Sequence, residues 1–267
     1  MILFTSDLDR TLIYSETMMQ TYPVVSEVIP VEHKEELVIS YMSQDSIQLL
    51  KQFSKEHLFV PVTTRAVYQY ERIHLFAKDM NPKYAITSNG GTILIDGKPD
   101  LQWSKIVKNR LADESGTKEE MIRIFSKIRH ESWVLREFFI DDLFYMFHVN
   151  RQLVPRAELA QFQQELATIG WSIFLHGKKL YVLPTCLNKA YAVQYLQNLV
   201  EYDLHVAAGD SMMDYDMICD AHYGYSPTHG ELYEMLPNDQ KVKWLKGMGA
   251  NSTEELLRNI LELNVVK

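Results

Sequence analysis

The sequence is poor in the features that mark several common protein classes. Its 267 residues include two cysteines, Cys186 and Cys219, which lie far apart without a CxxC or Cys/His spacing. This indicates neither a disulfide framework nor a zinc site. No apolar run reaches the roughly 18 residues that a membrane-spanning helix needs. The N-terminal apolar stretch is too short, and acidic residues follow it too soon, for a secretory signal. We therefore expect a cytoplasmic protein with no membrane partner.

Positive charge and glycine-rich nucleotide motifs are also scarce. The chain has 27 basic and 35 acidic residues, a net charge of −8, and no local basic patch, which argues against nucleic acid as a partner. It lacks the GxxxxGK[ST] motif of P-loop kinases and the glycine fingerprint of dinucleotide-dependent oxidoreductases. Its 46% apolar content is that of an ordinary globular protein, and its length fits two domains or one domain with a large insertion.

Four apolar runs of strand length precede small, hydroxyl or acidic residues and alternate with stretches of helical period. They lie at residues 2–6, 58–62, 84–87 and 205–208. Few of them alternate apolar with polar residues, as expected for strands that are buried on both faces of a parallel sheet. The pattern predicts an α/β fold, with a three-layer, Rossmann-like core whose ligands gather at the carboxyl ends of the strands.

The middle of the chain has a different pattern, typical of an α+β domain. Three strand pairs and two helices are predicted there: 92–95 with 100–103, a helix at 118–130, 133–140 with 143–150, a helix at 155–168, and 171–175 with 179–183. This order predicts an antiparallel sheet with helices on one face. We therefore place a discontinuous core at 1–90 and 184–267 and an inserted domain at 91–183.

Two shorter segments complete the prediction. Residues 24–31 and 37–41 are expected to form a hairpin within an insertion at 15–43, which we interpret as a flap. Ser252, with Glu255 three residues later, resembles a capping box that starts a final helix ending near residue 263.

Two pairs of acidic residues follow predicted strands. Asp7 and Asp9 come after the first strand, and Asp210 and Asp214 come after the fourth. In extended backbone the side chains of Asp7 and Asp9, two residues apart, project to the same side, where a hard divalent cation such as Mg²⁺ would relieve their repulsion. If the two strands are neighbours, Asp210 can reach the same ion as Asp7. A solvated acidic turn and a helix-capping loop remain alternative interpretations of the two motifs.

Hydroxyl and basic groups mark two further strand ends or helix starts. Thr63, Thr64 and Arg65 follow the second strand and carry groups that hydrogen-bond phosphate oxygens. Asn188 is a predicted N-cap, and Lys189 then opens a helix where its charge opposes the macrodipole. A residue placed against local preference is a candidate for function, although a solvated surface lysine is the commoner explanation.

Taken together and in this order, four segments resemble the motifs of the haloacid dehalogenase (HAD) superfamily of phosphohydrolases, and the resemblance spans nearly the whole chain. The segments are Asp7-Leu8-Asp9-Arg10-Thr11, Thr63, Lys189 and Gly209-Asp210-Ser211-Met212-Met213-Asp214. The insertion is entered through Ser88-Asn89-Gly90-Gly91 and left through Leu183-Pro184. It resembles the type IIB cap of the Cof-like and sucrose-phosphatase-like branch, in which the cap governs substrate specificity.

The resemblance implies a Mg²⁺-dependent phosphomonoesterase that acts on a small phosphorylated metabolite, such as a sugar phosphate. Asp7 matches the nucleophile that forms an aspartyl-phosphate, and Asp9 matches the general acid and base. The metal would be held by Asp7, Asp210 and the backbone carbonyl of Asp9. Asp214 would orient Lys189 or metal-bound water.

The resemblance also assigns the phosphate site. The residues expected to bind phosphate or substrate are Thr63, Thr64, Arg65, Asn89 and Lys189. In the inserted domain, the polar-substrate candidates are Arg136, His148, His176, Lys178 and Lys179, with Trp133 and Tyr181.

Three residues depart from the commonest family pattern, and two other functions stay open. Arg10 stands where Gly or Asn usually follows the second acid, Thr64 stands where Gly often occurs, and Met213 replaces an Asn. A phosphomutase uses similar aspartyl chemistry. A ligand-binding or regulatory module would keep the fold without turnover. The sequence does not indicate an oligomeric state.

Overall fold

The computed structural model describes residues 1–263. The strands are, in chain order, β1 (Ile2–Ser6), β2 (Val28–Lys34), β3 (Leu37–Ser43), β4 (Leu58–Pro61), β5 (Tyr84–Thr87), β6 (Thr92–Ile95), β7 (Lys98–Pro99), β8 (Val134–Ile140), β9 (Phe144–Val149), β10 (Trp171–His176), β11 (Lys179–Pro184), β12 (Leu204–Ala208), β13 (Tyr223–Pro227) and β14 (Val242–Leu245).

The α-helices are α1 (Glu16–Thr21), α2 (Gln44–Phe53), α3 (Val67–Tyr70), α4 (Leu101–Glu114), α5 (Lys118–Phe125), α6 (Arg156–Ala167), α7 (Lys189–Gln197), α8 (Tyr215–Cys219), α9 (Glu231–Met235) and α10 (Ala250–Leu261). A π-helical segment, Leu75–Met80, and two 3₁₀ turns, Ser88–Gly90 and Met212–Asp214, complete the regular structure of the described residues.

A five-stranded parallel sheet forms the centre of the first unit, in the order β14-β13-β12-β1-β4. A bridge between Val62 and Ile86 brings β5 alongside the β4 end of this sheet. All five residues of β1 are buried, which agrees with an apolar run that faces helices on both sides. Ile2 and Phe4 share a core with apolar side chains of α2 and α10, and α8 packs against β12 and β13. The predicted parallel, Rossmann-like core is confirmed.

The second unit is built on a four-stranded antiparallel sheet, in the order β10-β11-β9-β8. Helices α5 and α6 bury their apolar side chains against it, among them Phe125, Phe162 and Leu166. This confirms the predicted antiparallel sheet with accompanying helices. Among residues 1–263, no helix combines the length and the apolar character needed to cross a membrane.

The two compact units are 1–100 together with the chain from Lys189 onward, and Leu101–Asn188. We refer to them as the core unit and the inserted unit. The dividing points differ from the expected 90/91 and 183/184. The first moves because β6 pairs with β5 and therefore stays in the core unit. The second moves because β11 runs to Pro184, opposite Trp171, and the residues after it stay in contact with the inserted unit: the Thr185 N–H donates to the Gly170 carbonyl at 2.8 Å, and the Cys186 Sγ lies 3.5 Å from the Ser115 hydroxyl.

One expected strand is wrong. The residues expected to pair as 100–103 begin the helix α4 instead, and the partner of β6 is the two-residue strand β7. The strand stops at Pro99, which has no N–H to donate to a ladder. In the following 14 residues, Leu101–Glu114, eight are good helix formers (Leu, Gln, Lys, Arg, Ala or Glu), which favours a helix by intrinsic propensity.

The hairpin expected within 15–43 is present as the antiparallel pair β2–β3. β2 begins and ends later than the expected 24–31, at Val28 and Lys34, and β3 starts at Leu37 as expected but runs on to Ser43. Ser43 ends the hairpin and caps α2, because its side chain accepts a hydrogen bond from the backbone N–H of Ser46 at 3.2 Å.

Replacing Phe4 by Ala is expected to lower the free energy of unfolding by about 3–5 kcal/mol. Phe4 is fully buried, and its ring lies 5.7 Å from that of Phe53 and 5.6 Å from that of Phe59, centroid to centroid. Leu37 is the matched control, a large apolar strand residue that is 67% exposed, and Leu37→Ala should change stability by less than about 0.5 kcal/mol. Urea unfolding followed by circular dichroism measures both. Equal losses would contradict the assigned core.

Candidate active site

The acidic motifs meet at the carboxyl ends of two adjacent strands. β1 and β12 are paired in parallel, with Ser6 opposite Ala208, so the residues that follow each strand emerge at the same edge of the sheet. The backbone N–H of Asp7 donates to the carbonyl of Ala208 at 2.8 Å and extends this pairing by one residue. Asp210, which follows β12 after Gly209, therefore lies beside Asp7, as expected from the sequence.

Three buried carboxylates converge there. One oxygen from each of Asp7, Asp210 and Asp214 lies within 4.8 Å of the other two. Lys189 lies between two of them, because its Nζ donates at 2.6 Å to Oδ1 of Asp7 and at 2.6 Å to Oδ1 of Asp214. The Lys189 side chain is 1% exposed, so it is not a solvated surface residue. The first residue of α7 is thus held inside the acidic cluster.

The charges in this cluster shift each other's protonation. Burial alone would lower the pKa of Lys189, but Asp214 and Asp7 more than offset this and raise it overall. Burial raises the pKa of Asp7 well above its ordinary value of 3.8; Lys189 opposes the shift, and the neighbouring carboxylates add to it. The ionised Asp7 therefore carries an unfavourable free energy that a bound cation would relieve.

Asp214 is fixed from two sides. Its Oδ1 accepts from Lys189, while its Oδ2 accepts from the backbone N–H of Ser211 at 3.0 Å and from the Ser211 hydroxyl at 2.7 Å. Gly209 makes room for it, because a Cβ at that position would lie 2.3 Å from the Asp214 Cβ. The glycine of this motif therefore serves the packing of Asp214 itself. Because Ser211 fixes one oxygen of Asp214, the other oxygen holds the Lys189 ammonium group in a defined position.

Asp9 has a different environment from Asp7. Its side chain is 43% exposed, and Arg65 holds it with two parallel hydrogen bonds, Nε to Oδ2 at 2.7 Å and Nη2 to Oδ1 at 2.8 Å. The same guanidinium donates through Nη1 to Oε2 of Glu32 at 2.7 Å. Burial lowers the pKa of Arg65, but Asp9 and Glu32 more than offset this effect. Arg65, expected to bind phosphate, is engaged by two carboxylates in this structure.

Arg10, one of the departures from the family pattern, lies against the metal-site candidate Asp210. Its Nε is 3.0 Å from Oδ2 of Asp210, and its Nη2 donates to the carbonyl of His229 at 2.6 Å. His229 Nε2 in turn lies 2.9 Å from the Arg10 carbonyl. Arg10 has a positive φ of 65°, a conformation that non-glycine residues adopt rarely. A cation is therefore already present at the edge of the acidic cluster.

Two of the remaining phosphate-site candidates, Thr63 and Asn89, lie close together in the loops that follow β4 and β5. Thr63 is fully buried, and its backbone N–H donates to the carbonyl of Ile86 at 2.8 Å. The Asn89 N–H donates to the Thr63 carbonyl at 3.0 Å, and Asn89 has a positive φ of 55°. Thr64, next in the chain, is partly exposed. These contacts join the end of β4 to the end of β5.

The donor set suits a divalent ion such as Mg²⁺. Three carboxylates within 4.8 Å supply hard oxygen ligands, which Mg²⁺ and Ca²⁺ prefer, and no cysteine or histidine of residues 1–263 belongs to the cluster. The side chain of Asp9 points to Arg65 and is not part of this group. Its expected metal contact, through the backbone carbonyl, stays a prediction.

Several polar candidates in the inserted unit form one row across its sheet. Arg136 is opposite His148, His148 is opposite Lys179, and Lys179 is opposite His176, so their side chains share a face. Burial, followed by Lys179 and Arg136, lowers the pKa of His148. The two aromatic candidates, Trp133 and Tyr181, are buried instead, and Lys178 is exposed at the β10–β11 turn.

Sequence reasoning missed three residues that order this region. Glu32 binds Arg65, Ser211 binds Asp214, and His229 binds Arg10. Ser211 stood inside a recognised motif, and its spacing of three residues before an acid is a capping pattern that could have indicated the contact. Glu32 lay just beyond the strand expected at 24–31, next to the charged residues 33–36, and nothing in the local sequence pointed to Glu32 or to His229.

A family model describes what the chain resembles over most of its length. The model for "Sucrose-6F-phosphate phosphohydrolase" matches residues 1–226. A comparison with curated protein sequences found no match.

Solved structures share the fold at low sequence identity. The sucrose-phosphatase from Synechocystis sp. PCC6803, solved with sucrose and phosphate, is 16% identical with a TM-score of 0.69, and the match covers 99% of both chains. A haloacid dehalogenase-like hydrolase from Bacillus subtilis is 14% identical with a TM-score of 0.56, covering 98% of this chain and 92% of the other. The C-terminal domain of trehalose-6-phosphate phosphatase from C. albicans is 14% identical with a TM-score of 0.54, covering 93% and 80%.

Replacing Asp7 by Asn is expected to stabilise the metal-free protein at neutral pH. Because the folded-state pKa of Asp7 is raised above the unfolded value of about 3.8, ionisation of Asp7 costs stability as the pH rises from 3.8 through the folded-state pKa. The side-chain amide introduced by Asp7→Asn does not ionise, so the variant does not lose stability in this way. Asp7→Asn should therefore exceed wild type in unfolding free energy at pH 7, and the gain should shrink towards pH 4.

Urea unfolding in the presence of EDTA at the two pH values measures this difference. Asp79→Asn is the matched control, since Asp79 is exposed on the Leu75–Met80 segment, and it should show no comparable gain. A loss of stability for Asp7→Asn at pH 7 would contradict the electrostatic account of the cluster.

Proposed function

Because the chain belongs to the sucrose-6F-phosphate phosphohydrolase family of HAD phosphatases, we propose that it hydrolyses the phosphate monoester of a small sugar through a phosphorylated Asp7. The observation that carries the proposal is the Lys189 bridge, which ties the buried Asp7 to Asp214 at 2.6 Å on each side within the three-carboxylate cluster. A buried carboxylate beside a fixed cation, at the carboxyl end of a parallel strand, is suited to act as a nucleophile on phosphorus.

In the first half of the proposed reaction, a carboxylate oxygen of Asp7 attacks the phosphorus. The new bond from Asp7 to phosphorus forms as the bond from phosphorus to the sugar oxygen breaks. Asp9 delivers a proton to that leaving oxygen, so the sugar departs as a neutral alcohol. Asp9, 43% exposed, is reachable from solvent and is two residues from Asp7.

In the second half, Asp9 takes a proton from water as the water oxygen attacks the phosphorus. The bond between Asp7 and phosphorus breaks, inorganic phosphate is released, and both carboxyl groups return to their starting states. Lys189 balances the negative charge that builds up on the phosphoryl group, with Asp214 holding its Nζ in place. Thr63 and Asn89, joined at the ends of β4 and β5, are the proposed phosphate contacts.

Asp7 and Asp210, with the Asp9 carbonyl, are the proposed ligands of Mg²⁺. When bound, the ion screens the repulsion between Asp7 and the incoming phosphate and stabilises charge in the transition state. Arg10, at 3.0 Å from Asp210, contributes a fixed positive charge on the same carboxylate.

The proposed substrate class follows from the family and from the inserted unit. The family description names a sucrose phosphate, and the similar structures include phosphatases named for sucrose and for trehalose 6-phosphate. The inserted unit presents the row Arg136, His148, Lys179 and His176, whose hydrogen-bond donors suit hydroxyl or acidic groups of a polar substrate. We infer that this unit selects the leaving group.

Release of inorganic phosphate is the direct test of the proposal. Wild-type protein with Mg²⁺ should release phosphate from members of a panel of sugar phosphates, nucleotides and p-nitrophenyl phosphate, and EDTA should abolish release. Asp7→Asn should be inactive while retaining its fold by circular dichroism. Formation of an isomeric sugar phosphate without free phosphate would replace the hydrolase by a phosphomutase, and activity of Asp7→Asn would refute the nucleophile.

Binding of Mg²⁺ is expected to depend on Asp210. Isothermal titration with MgCl₂ should give an affinity that falls by more than about tenfold in Asp210→Asn, since even the outer partners of a metal site are commonly worth ~10–100-fold. Asp203→Asn is the control, because Asp203 pairs with the chain terminus away from the cluster. Unchanged affinity in Asp210→Asn would remove this residue from the metal site.

A further inference from the structure

We propose that Glu32, carried by the β2–β3 hairpin, is a positioning residue that fixes Arg65 and, through it, the carboxylate of Asp9. The inference deepens the proposed function and rests on Asp9 being its general acid and base. It gives a role to the insertion at 15–43, for which the sequence supplied none. All the residues involved belong to the core unit.

Glu32 is a fully buried carboxylate with both oxygens occupied. Its Oε2 accepts from Arg65 Nη1 at 2.7 Å and from the Ser40 hydroxyl at 2.7 Å. Its Oε1 accepts from Arg72 Nη2 at 3.1 Å and Nε at 3.3 Å. A buried ion cluster of this kind is costly unless its hydrogen bonds are complete, as they are on Glu32. This makes Glu32 a rigid anchor for the guanidinium of Arg65.

A bulge in the hairpin is what turns Glu32 inward. Val31 and Glu32 are consecutive strand residues, yet both are buried, whereas regular alternation would expose one of them. The pairing register shifts on both sides of Glu32, between Pro30 and Glu32 and again between Glu32 and His33. Bulges of this kind re-aim a side chain and are common next to active sites. Val31 thereby joins the core while Glu32 faces Arg65.

The hairpin is tied to the body of the core unit close to the nucleophile. Tyr14 and Tyr41 exchange two backbone hydrogen bonds, at 2.9 Å and 2.8 Å. Two residues further along β3, the Ser43 hydroxyl donates to Oε1 of Glu254 on α10 at 2.8 Å. Glu32 lies on β2, which pairs with β3, so these two contacts fix the hairpin that carries Glu32 to the rest of the core unit.

Arg65 uses its other edge to hold Asp9. The two hydrogen bonds of 2.7 and 2.8 Å leave the Asp9 carboxylate a single orientation. Glu32 and Asp9 bind the same guanidinium group of Arg65. The negative charge of Glu32 therefore compensates part of the positive charge of Arg65 that acts on Asp9. Proton transfer demands close geometry, so loss of Glu32 is expected to lower the rate of the step that needs the Asp9 proton.

Leaving-group dependence separates this role from a structural one. A sugar alkoxide leaves poorly without a proton, whereas p-nitrophenolate is a stable anion and leaves without one. In Glu32→Gln, kcat/KM with the best sugar phosphate of the panel should fall about tenfold or more, part of the ~10²–10⁴-fold that acid–base catalysis supplies. This ratio covers the steps up to departure of the leaving group and excludes the later hydrolysis, in which Asp9 acts as the base. kcat/KM with p-nitrophenyl phosphate should therefore change little.

Two further variants test whether a kinetic effect of Glu32→Gln comes from the position of Arg65. Should Glu32→Gln fail to fold, Ser40→Ala provides a milder change. It removes the hydrogen bond of 2.7 Å from Ser40 to Glu32 and a longer one of 3.4 Å from Arg65 Nη2 to the Ser40 hydroxyl, and it should cause a smaller loss in the same direction. Glu36→Gln is the control, because Glu36 is an exposed acid at the turn of the same hairpin. It is expected to leave the kcat/KM values for both substrates close to wild type. An equal loss of kcat/KM on both substrates in Glu32→Gln or Ser40→Ala would overturn the proposal.

A crystal structure of Glu32→Gln provides a readout that does not depend on turnover. The paired contacts between Arg65 and Asp9 should be lost or lengthened beyond hydrogen-bond distance. If Arg65 still holds Asp9 as in the wild type, Glu32 is not a positioning residue, whatever the kinetics show. A wild-type protein that releases phosphate from no member of the panel with Mg²⁺ would instead contradict the proposed function, and the crystal structure would still decide the role of Glu32.

Discussion

The ion pairs of Lys189 are the interaction on which the rest of the site depends. Three carboxylates are buried within 4.8 Å, and like charges at that separation in a low-dielectric interior would drive one another to protonate or would unfold the site. The ammonium group of Lys189, 2.6 Å from both Asp7 and Asp214, compensates part of that charge. It joins the start of α7 to the residue that follows β1 and to the 3₁₀ turn that follows β12. The residual charge is what makes the cluster suited to a divalent cation.

A second set of ion pairs, formed by Asp9, Arg65 and Glu32, lies two residues along the chain from the set around Lys189 and places its carboxylate in a more exposed environment. Asp7 and Asp9 are two residues apart, yet Asp7 is buried against an ammonium group while Asp9 is half exposed and held by a guanidinium. Such divergence is how one active site assigns different tasks to neighbouring carboxylates. The hairpin contributes Glu32 to the second system only, so an insertion outside the recognised motifs is coupled to one of the two carboxylates.

The sequence carried enough information for the sheet and for the meeting of the acids. Apolar runs such as residues 2–6 indicate strands buried on both faces, and parallel neighbours then bring Asp7 and Asp210 to one edge. The sequence did not indicate which other side chains, far apart in the chain, contact each other. The start of α4 was mistaken for a strand because an Asp-Gly turn at 96–97 precedes it. The burial of Glu32 depends on a bulge, which has no reliable signature in a single sequence. The hydrogen bonds from Arg65 to Asp9 join residues that are 56 positions apart in the chain.

Trapping of the covalent intermediate tests the central claim most directly. Wild-type protein mixed with a phosphate-labelled substrate and quenched in acid within one turnover should carry one phosphoryl group. Borohydride reduction followed by peptide mass spectrometry should then place that group on Asp7. Label on another residue, or turnover under these conditions without any phosphorylated protein, would contradict the assignment of Asp7 as the nucleophile.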